Sequence, residues 1–162
     1  MPICNPSDLK GLINKGERLL GLDVGTKTIG MALSDTTLLV ASPFDTIRRT
    51  RFRDDVQRLA AEIDEHGVGG IVVGLPLSMD GRDSPRTQGV RQFAKNLLEH
   101  VDKPVAFWDE RLSTAAVERQ MIEADLSRKR RAEIIDKVAA AYILQGLLDR
   151  LAHAEKSGTN KA

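Results

Sequence analysis

A change in the spacing of hydrophobic residues near residue 50 constrains the fold of this chain more than any other feature. Before that point the apolar residues have the short period of β-strands, and turn-prone residues separate the runs. The three runs are residues 18–25 (RLLGLDVG), 26–35 (TKTIGMALSD) and 40–48 (VASPFDTIR). Consecutive strands joined by such short turns predict an antiparallel meander.

After residue 50 the pattern predicts helices that alternate with strands. Apolar residues recur at helical spacing from Val56 to Ile63 and again from Val90 to Leu98. Between these two helices, residues 69–78 (GGIVVGLPLS) form a continuous apolar run. Such a run is typical of a central parallel strand, which is buried on both faces.

The remaining segments complete an α/β domain. Residues 105–110 (VAFWDE) resemble a strand, one helix begins near the capping residues Ser113–Thr114, and a last helix covers roughly residues 133–151. The order β-β-β-α-β-α-β-α-α predicts a mixed five-stranded sheet, three antiparallel strands followed by parallel βαβ units, flanked by helices. We divide the chain into an N-terminal extension, a folded domain and a disordered tail: residues 1–17, 18–151 and 152–162.

Cysteine usage, hydropathy and charge limit the class of protein. Cys4 is the single cysteine, which excludes a disulfide framework and a cysteine zinc site. The chain contains no membrane-length apolar run and no signal-like N-terminus, so we expect a cytoplasmic protein without a membrane partner. The net charge is only +1, yet residues 48–53 (RRTRFR) and 127–131 (SRKRR) are locally basic. Each run is either a solvated loop or a phosphate contact.

Asp23 places a carboxylate inside the first apolar strand. Because alternate residues of a strand share a face, Asp23 shares its face with Gly21 and Gly25. The two glycines are expected to leave room for a ligand or a phosphodiester backbone to approach the sheet. The alternative interpretation is a strand-end aspartate that caps the following turn.

Two further acidic positions could face Asp23. Asp109 and Glu110 end the last predicted strand and, being consecutive, point to opposite faces; they either serve a site or merely end the strand. Asp136 lies at the start of a helical stripe that is otherwise small and apolar, running through Ala140 to Leu147. A carboxylate buried there is costly unless it is paired or bound to a metal ion. Otherwise it reaches solvent or pairs with an arginine.

Three carboxylates from a strand, a strand end and a helix could converge on one site. Oxygen ligands of this kind suit Mg²⁺ or Mn²⁺, and two such ions about 4 Å apart can activate water and stabilise the leaving oxygen of a phosphodiester. The spacing in sequence does not by itself establish that they converge.

Four blocks of the sequence resemble the signature blocks of the YqgF/RuvX family of the ribonuclease H-like superfamily. They are LLGLDVGTKTIGMALSD, IVVGLPLSMDG, FWDERLSTAAVERQM and DKVAAAYILQGLLD, in the order of that family, and they span about residues 18–150. Family members are described as Holliday junction resolvases and as nucleases that mature the 5′ end of pre-16S rRNA.

The resemblance implies a ribonuclease H-like fold and an acidic site for Mg²⁺ or Mn²⁺ formed by Asp23, Glu110 and Asp136 as catalytic residues and metal ligands. It implies a nucleic-acid partner, precursor rRNA in preference to branched DNA, and a possible homodimer if the substrate is a junction. Weaker candidates for phosphate contacts are basic residues in or beside the blocks and in the second basic run: Lys27, Arg82, Arg86, Arg111, Arg128, Lys129, Arg130 and Arg131.

Other functions fit the sequence less well. GLDVGTKT nearly matches a phosphate-binding loop, but Thr26 replaces its second glycine and a strand follows where a helix is required. The same stretch resembles the phosphate hairpin of actin-like kinases, which need two such domains. A non-catalytic RNA-binding factor that retains the fold stays open as an alternative to a nuclease.

Overall fold

A computed structural model describes residues 3–112 and 128–159, with side chains in the last helix described for residues 134–154. The strands are β1 (Ile3–Cys4), β2 (Arg18–Val24), β3 (Thr28–Ser34), β4 (Ala41–Arg48), β5 (Val68–Leu75) and β6 (Val105–Asp109). The helices are α1 (Leu9–Leu12), α2 (Phe52–Glu65), α3 (Pro85–Leu98) and α4 (Arg128–Thr159), with 3₁₀ turns at Pro6–Asp8 and Glu110–Leu112.

The strands form one mixed sheet in the order β1-β6-β5-β2-β3-β4. The meander β2–β3–β4 is antiparallel, whereas β5 and β6 run parallel to β2. The predicted change from antiparallel to parallel pairing is therefore confirmed. All eight residues of β5 are buried, as its continuous apolar run predicts for a strand covered on both faces.

Helices cover the two faces of the sheet unequally. One face packs on α2 and α3, whose apolar residues from Val56 to Ile63 and from Val90 to Leu97 join Leu20 in a large core. The other face packs mainly on α4, through residues of its predicted apolar stripe. That stripe is buried along its length: Ala139, Ala140, Ile143, Leu144 and Leu147. None of the described helices has the length and apolar character needed to cross a membrane.

The sheet has six strands, so the predicted number of five is wrong. The additional strand, β1, comes from the N-terminal segment and pairs in parallel with β6, with Ile3 opposite Val105. Leu9 in the same segment is fully buried against the α4 side of the sheet. Residues 3–12 therefore cover the edge strand β6, an edge that would otherwise expose unpaired backbone groups.

The last helix differs from its predicted limits at both ends. It begins at Arg128 and continues to Thr159, through most of the segment for which a disordered tail is predicted. Residues 152–157 contain neither glycine nor proline, so the sequence offers no break in the helix before Gly158. The helix predicted to begin near Ser113–Thr114 lies outside the described residues.

Candidate active site

Asp23 is the central residue of the candidate site. It is the last but one residue of β2 and is 2% exposed. On one side it pairs with Gly30 of β3. On the other side the parallel register pairs Leu22 with Val73, so the next residues along the two strands are Asp23 and Gly74. The carboxylate therefore lies between two glycines of adjacent strands, on the sheet face that α4 covers.

Asp136 lies directly over the first of these glycines. A Cβ atom placed on Gly30 would overlap the backbone carbonyl of Asp136, so the main chain of α4 rests on the main chain of β3. The Thr28 hydroxyl at the start of β3 donates a hydrogen bond to Asp136 Oδ2. This contact fixes the Asp136 carboxylate beside the row of residues that contains Asp23.

Glu110 occupies the equivalent place over the second glycine. It follows β6 directly, at the start of a 3₁₀ turn. Its Oε1 atom lies 2.9 Å from the position that a Cβ on Gly74 would occupy. A side chain at either glycine would therefore displace one acid of the site. The three predicted acids lie on one face of the sheet, flanking a single row of strand residues.

The interpretation of the two glycines as clearance for a ligand is wrong for Gly21 and stays a prediction for Gly25. A Cβ on Gly21 would lie 2.8 Å from Leu144 Cβ and 3.0 Å from the Ala140 carbonyl oxygen. Gly21 thus makes room for α4, because that helix occupies the sheet face beside Asp23. A Cβ on Gly25 would lie 3.0 Å from the Thr28 carbonyl oxygen, across the turn between β2 and β3.

The distances between the carboxylate oxygens of the three acids limit how they could bind metal ions. Asp23 Oδ1 and Glu110 Oε1 are buried atoms that accept no hydrogen bond, although both residues have other interactions. Among the described residues, only Glu62, Glu65 and His66 place three ligand atoms within 4.8 Å of one another. These three residues lie at the C-terminal end of α2, just before β5 begins, whereas Asp23 lies near the C-terminal end of the parallel strand β2. The group is therefore at the opposite end of the strands from Asp23. At least one pair of ligand oxygens among the three acids is therefore more than 4.8 Å apart.

Asp109 and Arg111 form an ion pair beside the acids. Arg111 Nη2 lies 2.6 Å from Asp109 Oδ2, and Arg111 Nη1 donates to the Met79 carbonyl oxygen at 3.3 Å. The hydrogen bond from the Arg111 side chain lowers the pKa of Asp109. Asp109 pairs in the sheet with Leu75, so it faces the α2–α3 side and not Glu110. Arg111 joins the end of β6 to the loop after β5, and its contact with phosphate stays a prediction.

The other predicted basic residues are scattered around this edge. Lys27 is exposed in the turn between β2 and β3, and Arg82 is exposed and pairs with Asp80 at 3.3 Å. Arg86 is exposed in the first turn of α3 and lines a cleft beside Gly25. The side chains of the second basic run lie outside the described residues: Arg128, Lys129, Arg130 and Arg131.

Sequence reasoning missed two residues at this edge. Thr28 holds Asp136, and no pattern in the sequence distinguishes its hydroxyl from that of Thr26. Arg49 lies in the first basic run, but the sequence does not show that its guanidinium donates to the Gly25 carbonyl oxygen at 2.7 Å. Both contacts join residues that only the tertiary fold brings together.

Sequence relatives match most of the chain. The family model described as "RuvX: Holliday junction resolvase" matches residues 17–150. A protein of Paramagnetospirillum magneticum is 60% identical over 149 residues, which are 92% of this chain and 96% of the relative. One of Rhodospirillum centenum is 54% identical over 93% of this chain and 83% of the relative. Both carry the name "Putative pre-16S rRNA nuclease".

Solved structures with little sequence similarity share the fold. The structure of T. thermophilus RuvC in complex with a Holliday junction substrate has a TM-score of 0.54 at 12% identity, covering 84% of this chain and 96% of that one. The yeast mitochondrial Holliday junction resolvase Ydc2 has a TM-score of 0.51 at 12% identity, covering 95% and 88%. With the family match over residues 17–150, the chain belongs to the RuvX family, nucleases of the ribonuclease H-like fold.

Proposed function

We propose that Asp23, Glu110 and Asp136 bind divalent metal ions, Mg²⁺ or Mn²⁺, and that the protein hydrolyses phosphodiester bonds of structured nucleic acid. The observation that carries this proposal is that Glu110 lies over Gly74 and Asp136 lies over Gly30. These two glycines are the neighbours of Asp23 on the adjacent strands. Three carboxylates over neighbouring strands on one face of the sheet repel one another, and bound cations would offset that repulsion.

The donor set fits the proposed ions. All three residues offer carboxylate oxygens, which Mg²⁺ and Mn²⁺ prefer over nitrogen or sulfur. Ligands of one Mg²⁺ lie about 2.1 Å from the ion, so its protein oxygens are at most about 4.2 Å apart. The wider spread of these acids favours a pair of ions about 4 Å apart, and such a pair supplies an activated water and charge stabilisation for the leaving oxygen.

Residues of the chain have separate tasks in this proposal. Asp23 offers its buried oxygen at the centre, while Glu110 and Asp136 offer theirs from either side. The Thr28 hydroxyl orients the Asp136 carboxylate, as outer hydrogen-bond partners of metal ligands do. Asp109 faces the other side of the sheet, so its role is to hold Arg111 and not to assist Glu110.

The preferred substrate is the 5′ region of precursor 16S rRNA, and the cytoplasm is the location that this substrate requires. The support is the name of relatives that are 54–60% identical over more than nine-tenths of this chain. A four-way DNA junction is the second candidate, because the matching family model carries the description of a Holliday junction resolvase. Resolving a junction requires two symmetric cuts and therefore a homodimer.

The first test removes the charge of Asp23. We expect Asp23→Asn to lose Mg²⁺-dependent cleavage of a precursor rRNA leader and to lose the rise in melting temperature that Mg²⁺ gives the wild type. A ligand at a hundredfold its Kd stabilises a protein by about 2.7 kcal/mol.

The control is Asp45→Asn, an exposed aspartate of β4 that should retain both cleavage and the metal response. If Asp23→Asn cleaves as fast as the wild type, the proposed site is wrong. If the wild type binds RNA but cleaves neither the rRNA leader nor a four-way junction, the non-catalytic RNA-binding alternative is favoured. Faster cleavage of the junction by a dimeric species would instead favour a resolvase.

A further inference from the structure

A cleft runs beside the end of β2, on the side of the sheet opposite the three acids. It has a volume of about 430 Å³ and lies between the turn after β2 and the first two turns of α3. Its lining includes Gly25 and Thr26 on one wall and Arg86 and Gly89 on the other. Since Gly25 is two residues from Asp23, the cleft and the acids are separated only by the end of β2.

The charge of the cleft is unlike that of its neighbours. Arg49 and Arg86 line it, and its lining contains no aspartate or glutamate. Three other clefts on the described surface contain both a basic residue and an acid, which is Glu17 in one, Asp35 in a second and Asp109 in a third. A cleft with two guanidinium groups and no carboxylate favours an anionic ligand.

Arg49 is held in place before any ligand binds. Its Nη1 atom donates to the Gly25 carbonyl oxygen at 2.7 Å, and its guanidinium lies 5.4 Å from the centre of the Phe93 ring. The side chain is partly buried, so little conformational entropy is lost when its other N–H groups bind an anion. A preset guanidinium of this kind suits phosphate, which it can contact through two parallel hydrogen bonds.

Gly89 keeps the wall of α3 open. Glycine inside a helix costs about 0.5–1 kcal/mol relative to alanine. No atom lies within 4 Å of a Cβ placed on Gly89, so packing does not require the glycine. Its backbone does not require one either, since φ is not positive. What the missing side chain does provide is space in the cleft between Arg86 and the turn after β2.

We propose that this cleft binds a backbone phosphate of the nucleic-acid strand that is cut, through Arg49 and Arg86, while an adjoining part of the same strand crosses the end of β2 to reach the acids. The inference rests on the proposed function and extends it, because it assigns the path of the substrate strand. A mobile single strand is the form of substrate that can bend across the end of one β-strand in this way.

The test measures binding without cleavage. Fluorescence anisotropy with a labelled single-stranded RNA in EDTA gives Kd over a range of salt concentrations for the wild type, Arg86→Gln, Gly89→Glu and the control Lys95→Gln. Each phosphate contact on a single strand contributes about 0.7 to the slope of log K against log salt, which is about fivefold in affinity between 1 M and 0.1 M. Lys95 is an exposed residue in the last turn of α3, away from the cleft.

We expect Arg86→Gln to lower the slope by about 0.7 and to weaken binding about fivefold at 0.1 M salt, and Gly89→Glu to weaken it at least as much. Lys95→Gln should match the wild type. The proposal would be overturned if Arg86→Gln and Gly89→Glu had the same slopes and Kd values as the wild type. It would also be overturned if Lys95→Gln lost as much affinity for the RNA as these two variants. A wild type that binds with the expected slopes but never cleaves would refute the nuclease and leave the cleft in place.

Discussion

Adding one methyl group at Gly30 is the most direct test of how the site is built. A Cβ on Gly30 would overlap the Asp136 carbonyl carbon and oxygen and come within 2.8 Å of the Lys137 amide nitrogen. All three atoms belong to the backbone of α4, so no side-chain rotation can relieve the clash. In Gly30→Ala the helix must therefore move away from the sheet, and Asp136 must move with it.

The expected loss of stability follows from adding a methyl group where α4 and β3 are in contact. Inserting a methyl group into a well-packed core typically costs 1–3 kcal/mol, and a clash between two main chains belongs at the upper end. For a domain of this size, 3 kcal/mol corresponds to a fall in melting temperature of roughly 6–12 °C. A displacement of Asp136 on the order of 1 Å would in addition lower the rate of cleavage about a hundredfold.

Gly11→Ala is the matched control, since it makes the same chemical change in helix α1, at a place with no atom within 4 Å and outside both the acids and the proposed cleft. It should raise the stability by about 0.5–1 kcal/mol, because alanine is a better helix residue than glycine. Thermal unfolding followed by circular dichroism, together with cleavage of the same RNA, measures both effects. A Gly30→Ala protein that melts with the wild type and cleaves at the wild-type rate would refute the close packing of α4 on β3.

Two further predictions concern single hydrogen-bonded groups. Thr28→Val should weaken Mg²⁺ binding about ten- to a hundredfold in calorimetry, because it removes the donor to Asp136 Oδ2. Thr28→Ser keeps the donor and should bind like the wild type. Equal Mg²⁺ affinity of all three proteins would show that the hydroxyl has no such role. Hydrogen bonds from the Thr37 hydroxyl and the Val40 amide lower the pKa of Asp35 to about 2, below its usual 3.8. The contribution of the Asp35 carboxylate to stability is therefore full above about pH 4 and is lost as the pH falls towards 2. In urea unfolding, Asp35→Asn should lose stability at neutral pH and show a shallower fall over that acid range, and an unchanged pH profile would count against the assignment.

The sequence predicts the parts of the fold that repeat a pattern. The change of period near residue 50 is enough to separate the antiparallel meander from the parallel units, because each period reflects which faces are buried. Strand β1 contains only Ile3 and Cys4, and two residues are too few to show a period. The sixth strand is therefore invisible in the sequence, although it covers one edge of the sheet.

The candidate site is predictable to a different extent. An acid in an apolar strand is costly, and that cost identifies Asp23 without any structure. The glycines beside it are ambiguous, because a missing side chain can admit a ligand or a helix, and only the fold shows that Gly21 admits α4. Thr28 and Asp136 are 108 residues apart, so no local pattern can connect them.

That separation along the chain also determines when activity can arise during synthesis. Asp23 belongs to the first strand of the meander, whereas Asp136 arrives on the last helix, which packs across β2, β3 and β4. A growing chain that has not yet folded its C-terminal helix lacks one of the three proposed metal ligands and the helix that covers the sheet face of Asp23. A nascent chain, or a fragment ending before α4, would thus be unable to cut the RNA around it, and cleavage would begin only once the whole domain has folded.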